Sequence, residues 1–321
     1  MAEHLLFIAH AGDAKRVSDE SETVGYAVGI LTWALAGGLF VAAKSAINEM
    51  PPWTLVFFRL LIATLVLLPL VRTHHRAMVD FLRKRWLESL LIGAVGLGIT
   101  QGLIFTALRT TSAVNAGIIF AISPIITMVM ARFVLGEAMG PWQVIGSLVA
   151  FGGIVVIAVR GSLATLLALD LTVGDLLLLL AATTFAAYAV FLRRAKFELE
   201  RMPVLVIVLA GGVLASLPFF IYEILNGEHA HMAFKGYVAL AYAAIPGGAL
   251  MYLLFNWSID ILGAARAGGL LYSQMIFTAI LAWLILGEAI EPYHIAGAGL
   301  IIVGVVLVTF LKAKPAAIPA K

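Results

Sequence analysis

Long uninterrupted apolar runs constrain this chain more than any other feature. A hydrocarbon layer about 30 Å thick takes roughly 20 helical residues at about 1.5 Å rise each. Ten stretches of that kind occur, at about 24–44, 53–71, 87–108, 112–134, 141–160, 173–193, 203–224, 236–258, 264–286 and 292–312. Charged residues make up 12% of the 321 positions, against roughly 25% in an ordinary soluble domain. The runs also lack the alternation that half-buried elements show in water. The expected fold class is all-α integral membrane, with ten transmembrane helices. The chain has no cysteine, which excludes disulfides, thiol nucleophiles and Cys-ligated zinc. The segment 1–23 holds one short apolar run, wrongly flanked for a cleaved signal. It is expected to be a cytoplasmic tail, as is 313–321.

Basic residues orient the spans, because short loops rich in Lys and Arg stay cytoplasmic. One such loop carries Arg72, Arg76, Arg83, Lys84 and Arg85, and another carries Arg193, Arg194, Lys196 and Arg201. The opposite side keeps little beyond Lys44, Arg109, Arg160 and Lys235. Both termini are therefore expected inside, and the net charge of +3 is a topology signal that implies no nucleic-acid partner. An internal repeat appears when the chain is slid by 151 residues. Leu135-Gly136-Glu137-Ala138-Met139-Gly140-Pro141 then falls on Leu286-Gly287-Glu288-Ala289-Ile290-Glu291-Pro292, and Ala113, Ala116, Gly117, Ile125, Thr127, Ala131, Gly146, Gly153 and Val155 meet identical residues. The halves run 24–160 and 173–312. Five spans is an odd number, so the second half must enter from the opposite face: two inverted five-helix repeats, a plan typical of secondary transporters, with cargo handled near the midplane.

Trp33 with Ala34 through Lys44, then Phe58-Arg59-Leu60-Leu61-Ile62-Ala63, then Ala121-x-x-Pro124 leading to Leu135-Gly136-Glu137, resemble the first half of the EamA family of the drug/metabolite transporter superfamily. Gly263-Ala264-Ala265-Arg266-Ala267-Gly268 leading to Leu286-Gly287-Glu288 repeats the pattern. The resemblance covers about 24–312 and implies export of amino acids, other metabolites or drugs. Fold analogy does not choose among these cargoes. Met275 stands where the first half has Pro124, so a proline-dependent gate at that point would exist on one side only.

Ionisable groups at mid-bilayer are expensive and usually functional. All eighteen carboxylates fall in tails, loops or the last turns of spans; Glu137, Glu223, Asp175 and Glu288 come nearest to the hydrocarbon. With no central carboxylate, a facilitator or exchanger is favoured over a carboxylate-driven proton antiporter. Glu137 and Glu288 follow glycines that can end a helix and precede prolines that can begin the next, so a structural capping role is expected for both. Arg59 lies four or five residues into its span, roughly 7 Å deep at helical rise, and Lys44 closes the preceding span on the same side. Snorkelling to headgroups is the alternative for these cations; both match positions typical of the family's first repeat, and together they would meet a carboxylate.

Gln101, Asn115, Ser123, Thr183, Thr184, Asn256, Ser273 and Gln274 must pair with neighbouring helices or face an aqueous cavity. Trp33, Phe40, Tyr188, Tyr252, Trp257 and Tyr272 could line that cavity, ordinary packing being the alternative. Pro124, Pro218 and Pro246 fall inside spans, and Pro246-Gly247-Gly248 is the expected broken point. Walker A, His-Glu-x-x-His and Gly-x-Ser-x-Gly are all missing, so no enzyme activity, cofactor or metal is implied. The reading is an inner-membrane carrier of small metabolites, amino acids or related zwitterions first, working by alternating access among membrane lipids. A multidrug exporter of cationic or aromatic compounds is the close alternative, and a non-transporting receptor or membrane-embedded enzyme the distant one.

Overall fold

The computed structural model describes residues 22–39, 42, 49–110, 119–137, 139–160, 162, 164, 172–231, 233–286 and 291–310. Phe40, Lys44, Asn115 and Glu288 lie outside them. Among the described residues the regular structure is helical throughout. The order is α1 (22–39), α2 (Pro52–Leu67), α3 (His75–Gly93), α4 (Thr100–Ala107), α5 (Ser123–Leu135), α6 (Pro141–Ala158), α7 (Val173–Ala195), α8 (Arg201–Leu225), α9 (Phe234–Ala244), α10 (Met251–Leu262), α11 (Ala264–Gly269), α12 (Ser273–Leu286) and α13 (Pro292–Phe310). Among the described residues, five segments are long and apolar enough to cross a membrane: Pro52–Ala107, Pro141–Ala158, Val173–Ala195, Arg201–Leu225 and Phe234–Leu262. Large apolar side chains point outward from the helices, Phe133 at 84% exposure and Leu225 at 80% among them. No water-soluble fold tolerates so much exposed apolar surface, and lipid is the solvent that accepts it. The chain is a multi-pass membrane protein.

Local chemistry sets most helix ends. Pro52, Pro141 and Pro292 sit at first helical positions, where the missing N–H costs nothing. Thr172 and Asp175 form a capping box at α7, with Thr172 N–H donating to Asp175 Oδ2 at 2.6 Å. Gly136 ends α5 at φ +70°, as expected. The carboxylate next to it does something else: the Gly140 N–H ahead of α6 donates to Gln143 Oε1 at 2.9 Å, while Glu137 Oε1 lies 3.0 Å from where a Cβ on Gly263 would stand. Glu137 therefore lies against Gly263 at the α10–α11 junction, and the start of α6 donates to Gln143. Pro124 sits at the start of α5, after a turn at 121–122. The second half breaks at the matching place with a 3-10 turn, Leu270–Tyr272, although no proline is present there. The break belongs to the repeat and not to the proline.

Two wide π-type turns interrupt the membrane segments. One, Ala94–Ile99, joins α3 to α4; the other, Ile245–Leu250, joins α9 to α10. The offset of 151 carries the first onto the second residue for residue. Pro246 supplies no N–H to the second, as expected at a break. In the first, Thr100 Oγ1 donates to Val95 O, five residues back, at 2.9 Å.

The halves interlock. α8 packs on α2 and α3, and α7 on α4 and α5. Tyr242 OH, from α9, donates to Leu35 O of α1 at 3.2 Å. Among the described elements the most extensive contact joins α6 to α13, and glycines allow it: a Cβ on Gly146 would stand 2.6 Å from Gly304 O, and one on Gly153 2.6 Å from Gly297 O. Residue numbers rise along one helix as they fall along the other, so these repeat-equivalent helices run antiparallel.

Candidate functional site

Arg59 is fully buried on α2. Its guanidinium reaches the second wide turn: Nε donates to Ala243 O at 2.9 Å, Nη2 to Gly247 O at 2.9 Å, and Nη1 to Gln101 Oε1 at 3.0 Å. A wide turn leaves carbonyls turned off the helix axis, and the planar fork of arginine suits several acceptors held at fixed angles. Gln101 Nε2 in turn donates to Tyr252 OH at 3.1 Å, and Arg59 Cζ lies 5.9 Å from the Tyr252 ring centroid. Among the described residues no carboxylate pairs with Arg59. A full positive charge at this depth is answered by carbonyl dipoles, one amide and an aromatic face.

One turn beyond Tyr252, Tyr188 OH donates to Asn256 Oδ1 at 2.6 Å, while Asn256 Nδ2 is buried without a partner. Phe255 stacks with Phe185 at 5.5 Å and meets Trp33 edge-on at 5.3 Å. Trp33 Nε1 donates to Ala267 O at 3.4 Å. The strip from Arg59 to Asn256 is thus rich in donors, poor in negative charge, and flanked by rings. It draws on α2, α4, α7 and α10, hence on both halves.

Of the residues expected to meet cargo, the structure gathers Arg59, Gln101, Tyr188, Asn256 and, at the aromatic edge, Trp33. Pro246, Gly247 and Gly248 lie in the turn that Arg59 holds. Ser123, Gln274 and Tyr272 are buried elsewhere, at the breaks before α5 and α12; the Ser123 and Tyr272 hydroxyls have no partner there. Tyr272 packs with Ala121, Ala150 and Ile301. Trp257 is half-buried under the Arg201 guanidinium, 5.7 Å from its ring centroid, near the start of α8. Thr184 pairs with Thr100 at 2.7 Å, whereas Thr183 bonds back to Leu179 O on its own helix.

Two features escaped sequence reasoning. The first wide turn carried a signal, since Gly96 falls on Gly247 under the repeat offset. Its glycines are required by close approach: a Cβ on Gly93 would overlap Val208 O of α8, and one on Gly96 the Tyr188 ring. The second is the contact of Glu223, whose carboxylate accepts from the start of α2, 169 residues away in sequence. No local pattern announces such a contact.

This is an all-helical membrane protein whose two halves enclose a buried, donor-rich polar cluster. The chain belongs to the EamA-like transporter family, which it matches twice, over residues 23–159 and 172–310. It is 25% identical over 269 residues to the uncharacterized transporter YyaM of Bacillus subtilis, covering 84% of this chain and 88% of that protein. An uncharacterized transporter of Archaeoglobus fulgidus is 25% identical over 285 residues, with 88% and 95% coverage. The uncharacterized inner membrane transporter YhbE of Escherichia coli is 31% identical over 134 residues, 41% of this chain and 42% of that one. A solved crystal structure superposes with a TM-score of 0.73 at 21% identity, covering 91% of this chain and 97% of that one; it shares the fold.

Proposed function

We propose that the protein is an inner-membrane secondary transporter that exports small metabolites, amino acids or related zwitterions foremost, by alternating access between two inverted five-helix halves. Ten spans then cross the bilayer, 24–160 and 173–312 form the halves, and both termini face the cytoplasm. The observation that carries this reading is the Arg59 cluster. Gln101 and Tyr252 stand 151 residues apart, so they are equivalent positions of the repeat. Two equivalent residues touch each other only beside the two-fold axis that relates them. The antiparallel pairing of α6 with α13 supports the same axis, and in an inverted repeat that axis lies in the membrane midplane. Arg59 thereby belongs at the centre, deeper than its place in the span suggested.

A guanidinium bonded to neutral acceptors, with no carboxylate partner among the described residues, favours a carboxylate or another anionic group and repels cations. Asn256 Nδ2 offers a further donor, and the rings of Trp33, Phe185 and Phe255 offer an apolar or cation-accepting wall for the rest of the cargo. These features favour zwitterions over cationic drugs. That no carboxylate pairs with Arg59 among the described residues favours facilitation or exchange. The test is counterflow into liposomes holding purified protein, screened across amino acids and cationic drugs with and without a pH gradient. Counterflow of carboxylated substrates without a gradient is expected. Strict dependence on the gradient would sink the facilitator reading, and transport confined to cations would replace it with the multidrug one.

A further inference from the structure

We propose that Glu223 is the latch of the outer gate: its carboxylate holds the N-terminus of α2 against α8 and so ties the halves to each other at that end. The proposal rests on the alternating-access reading above, whose orientation makes this end the outer one. Glu223 sits in the last turn of α8, only 4% exposed. Its Oε1 accepts from Trp53 N–H at 3.0 Å, and its Oε2 from Thr54 N–H at 2.7 Å and the Thr54 hydroxyl at 2.8 Å. All three bonds run between the halves. Among the described residues no cation lies within ion-pair distance of Glu223. Its charge is answered by the free N–H groups and dipole of a helix start, and it remains answered only while α2 and α8 stay together.

Two aromatic stacks continue the seam below the carboxylate. Trp53 lies on Phe219 at 4.0 Å, and Phe57 on Phe220 at 4.5 Å. The Trp53 ring covers Gly102 of α4, where a Cβ would overlap it. Above, Arg109 pairs with Glu228 at 2.6 Å, and Ala233 N–H donates to Glu49 Oε2 at 3.0 Å. His229, His231 and Lys235 are further titratable groups at this end among the described residues. Arg59, further down α2, is turned toward Ala243, Gly247 and Gln101. An amide in place of the Glu223 carboxylate sets an N–H group against N–H and O–H donors. At least one bond across the seam is then lost, and the aromatic stacks with the Arg109–Glu228 and Glu49–Ala233 contacts hold what remains.

The chain contains no cysteine, so single-cysteine reporters carry no background. Thr106 lies one turn past Gly102 on the same face of α4, toward Arg109; its hydroxyl is buried without a partner, and Thr106→Cys places a thiol within the seam. Its labelling by a membrane-impermeant maleimide applied from outside is expected to be slow. Adding Glu223→Gln is expected to accelerate labelling about tenfold, the scale of a lost charged hydrogen bond. Thr54→Val, which removes one of the three bonds, is expected to accelerate it less. Labelling in Glu223→Gln as slow as in the parent overturns the latch. Should Glu223→Gln fail to reach the membrane, an unchanged rate in Thr54→Val overturns it instead. The readout needs no cargo, so intact counterflow with an unresponsive reporter sinks the latch alone, and a responsive reporter without counterflow sinks the transport reading alone.

Discussion

Arg59 touches Ala243 O, Gly247 O and Gln101 Oε1, so truncation removes more than a charge. Arg59→Ala leaves those acceptors short of a donor in a buried setting, each at a cost of about 1–3 kcal/mol. A clear fall in the thermal unfolding temperature of the detergent-solubilised protein is expected, together with loss of counterflow. Arg59→Lys is expected to recover little of either, because one ammonium cannot span acceptors that a fork reaches. Gln101 and Tyr252 form one unit with it. Gln101→Leu and Tyr252→Phe are therefore expected to be non-additive, with a coupling of about 0.5–3 kcal/mol in a double-mutant cycle on unfolding. At the surface, Arg109 holds the Glu228 carboxyl below the usual carboxylate range by hydrogen bonding and charge. A lowered value means the stabilisation is complete above the ordinary glutamate value, about 4.3, and fades as pH falls through the depressed one. Unfolding followed against pH should show that acid loss in the parent and not in Arg109→Ala.

At the scale of elements, the α6–α13 crossing is held by backbone proximity. Gly152 and Gly153 separate the causes cleanly. A Cβ at Gly152 meets nothing within 4 Å, whereas one at Gly153 would lie 2.6 Å from Gly297 O. Gly152→Ala is expected to stabilise, by up to about 1 kcal/mol of helix propensity. Gly153→Ala reverses the sign and destabilises by about 1–3 kcal/mol, because the paired helices must part. Thermal unfolding of the two variants side by side checks this. The two wide turns differ in a comparable way. The first is closed by backbone packing, Gly93 on Val208 and Gly98 on Gly212; the second is propped by the Arg59 side chain. A side chain can let go where packed backbone cannot, so amide hydrogen exchange is expected to be faster over Ile245–Leu250 than over Ala94–Ile99.

At the scale of the whole molecule, a cytoplasmic reporter fused after Lys321 is expected to be active and a periplasmic one inactive; the reverse would invert every assignment of inner and outer ends. Apolar content, the 151-residue offset and the family were legible in the chain alone, because bilayer thickness converts run length into helices and a duplicated motif survives as identities such as Leu135-Gly136-Glu137 with Leu286-Gly287-Glu288. The prolines and glycines marked the second wide turn for the same local reason: each removes a donor or a Cβ at a known place. What the chain did not disclose is which groups meet across the halves. Arg59 was legible as a costly cation, but its carbonyl partners lie 184 and 188 residues away, and Glu223 looked like a helix-end carboxylate until α2 was set against it. Hydrophobic periodicity reports the solvent of each helix and says nothing of its neighbours. Pairing is decided by glycine-to-backbone fit and by the satisfaction of buried donors and acceptors, both of which exist only once the halves are packed together.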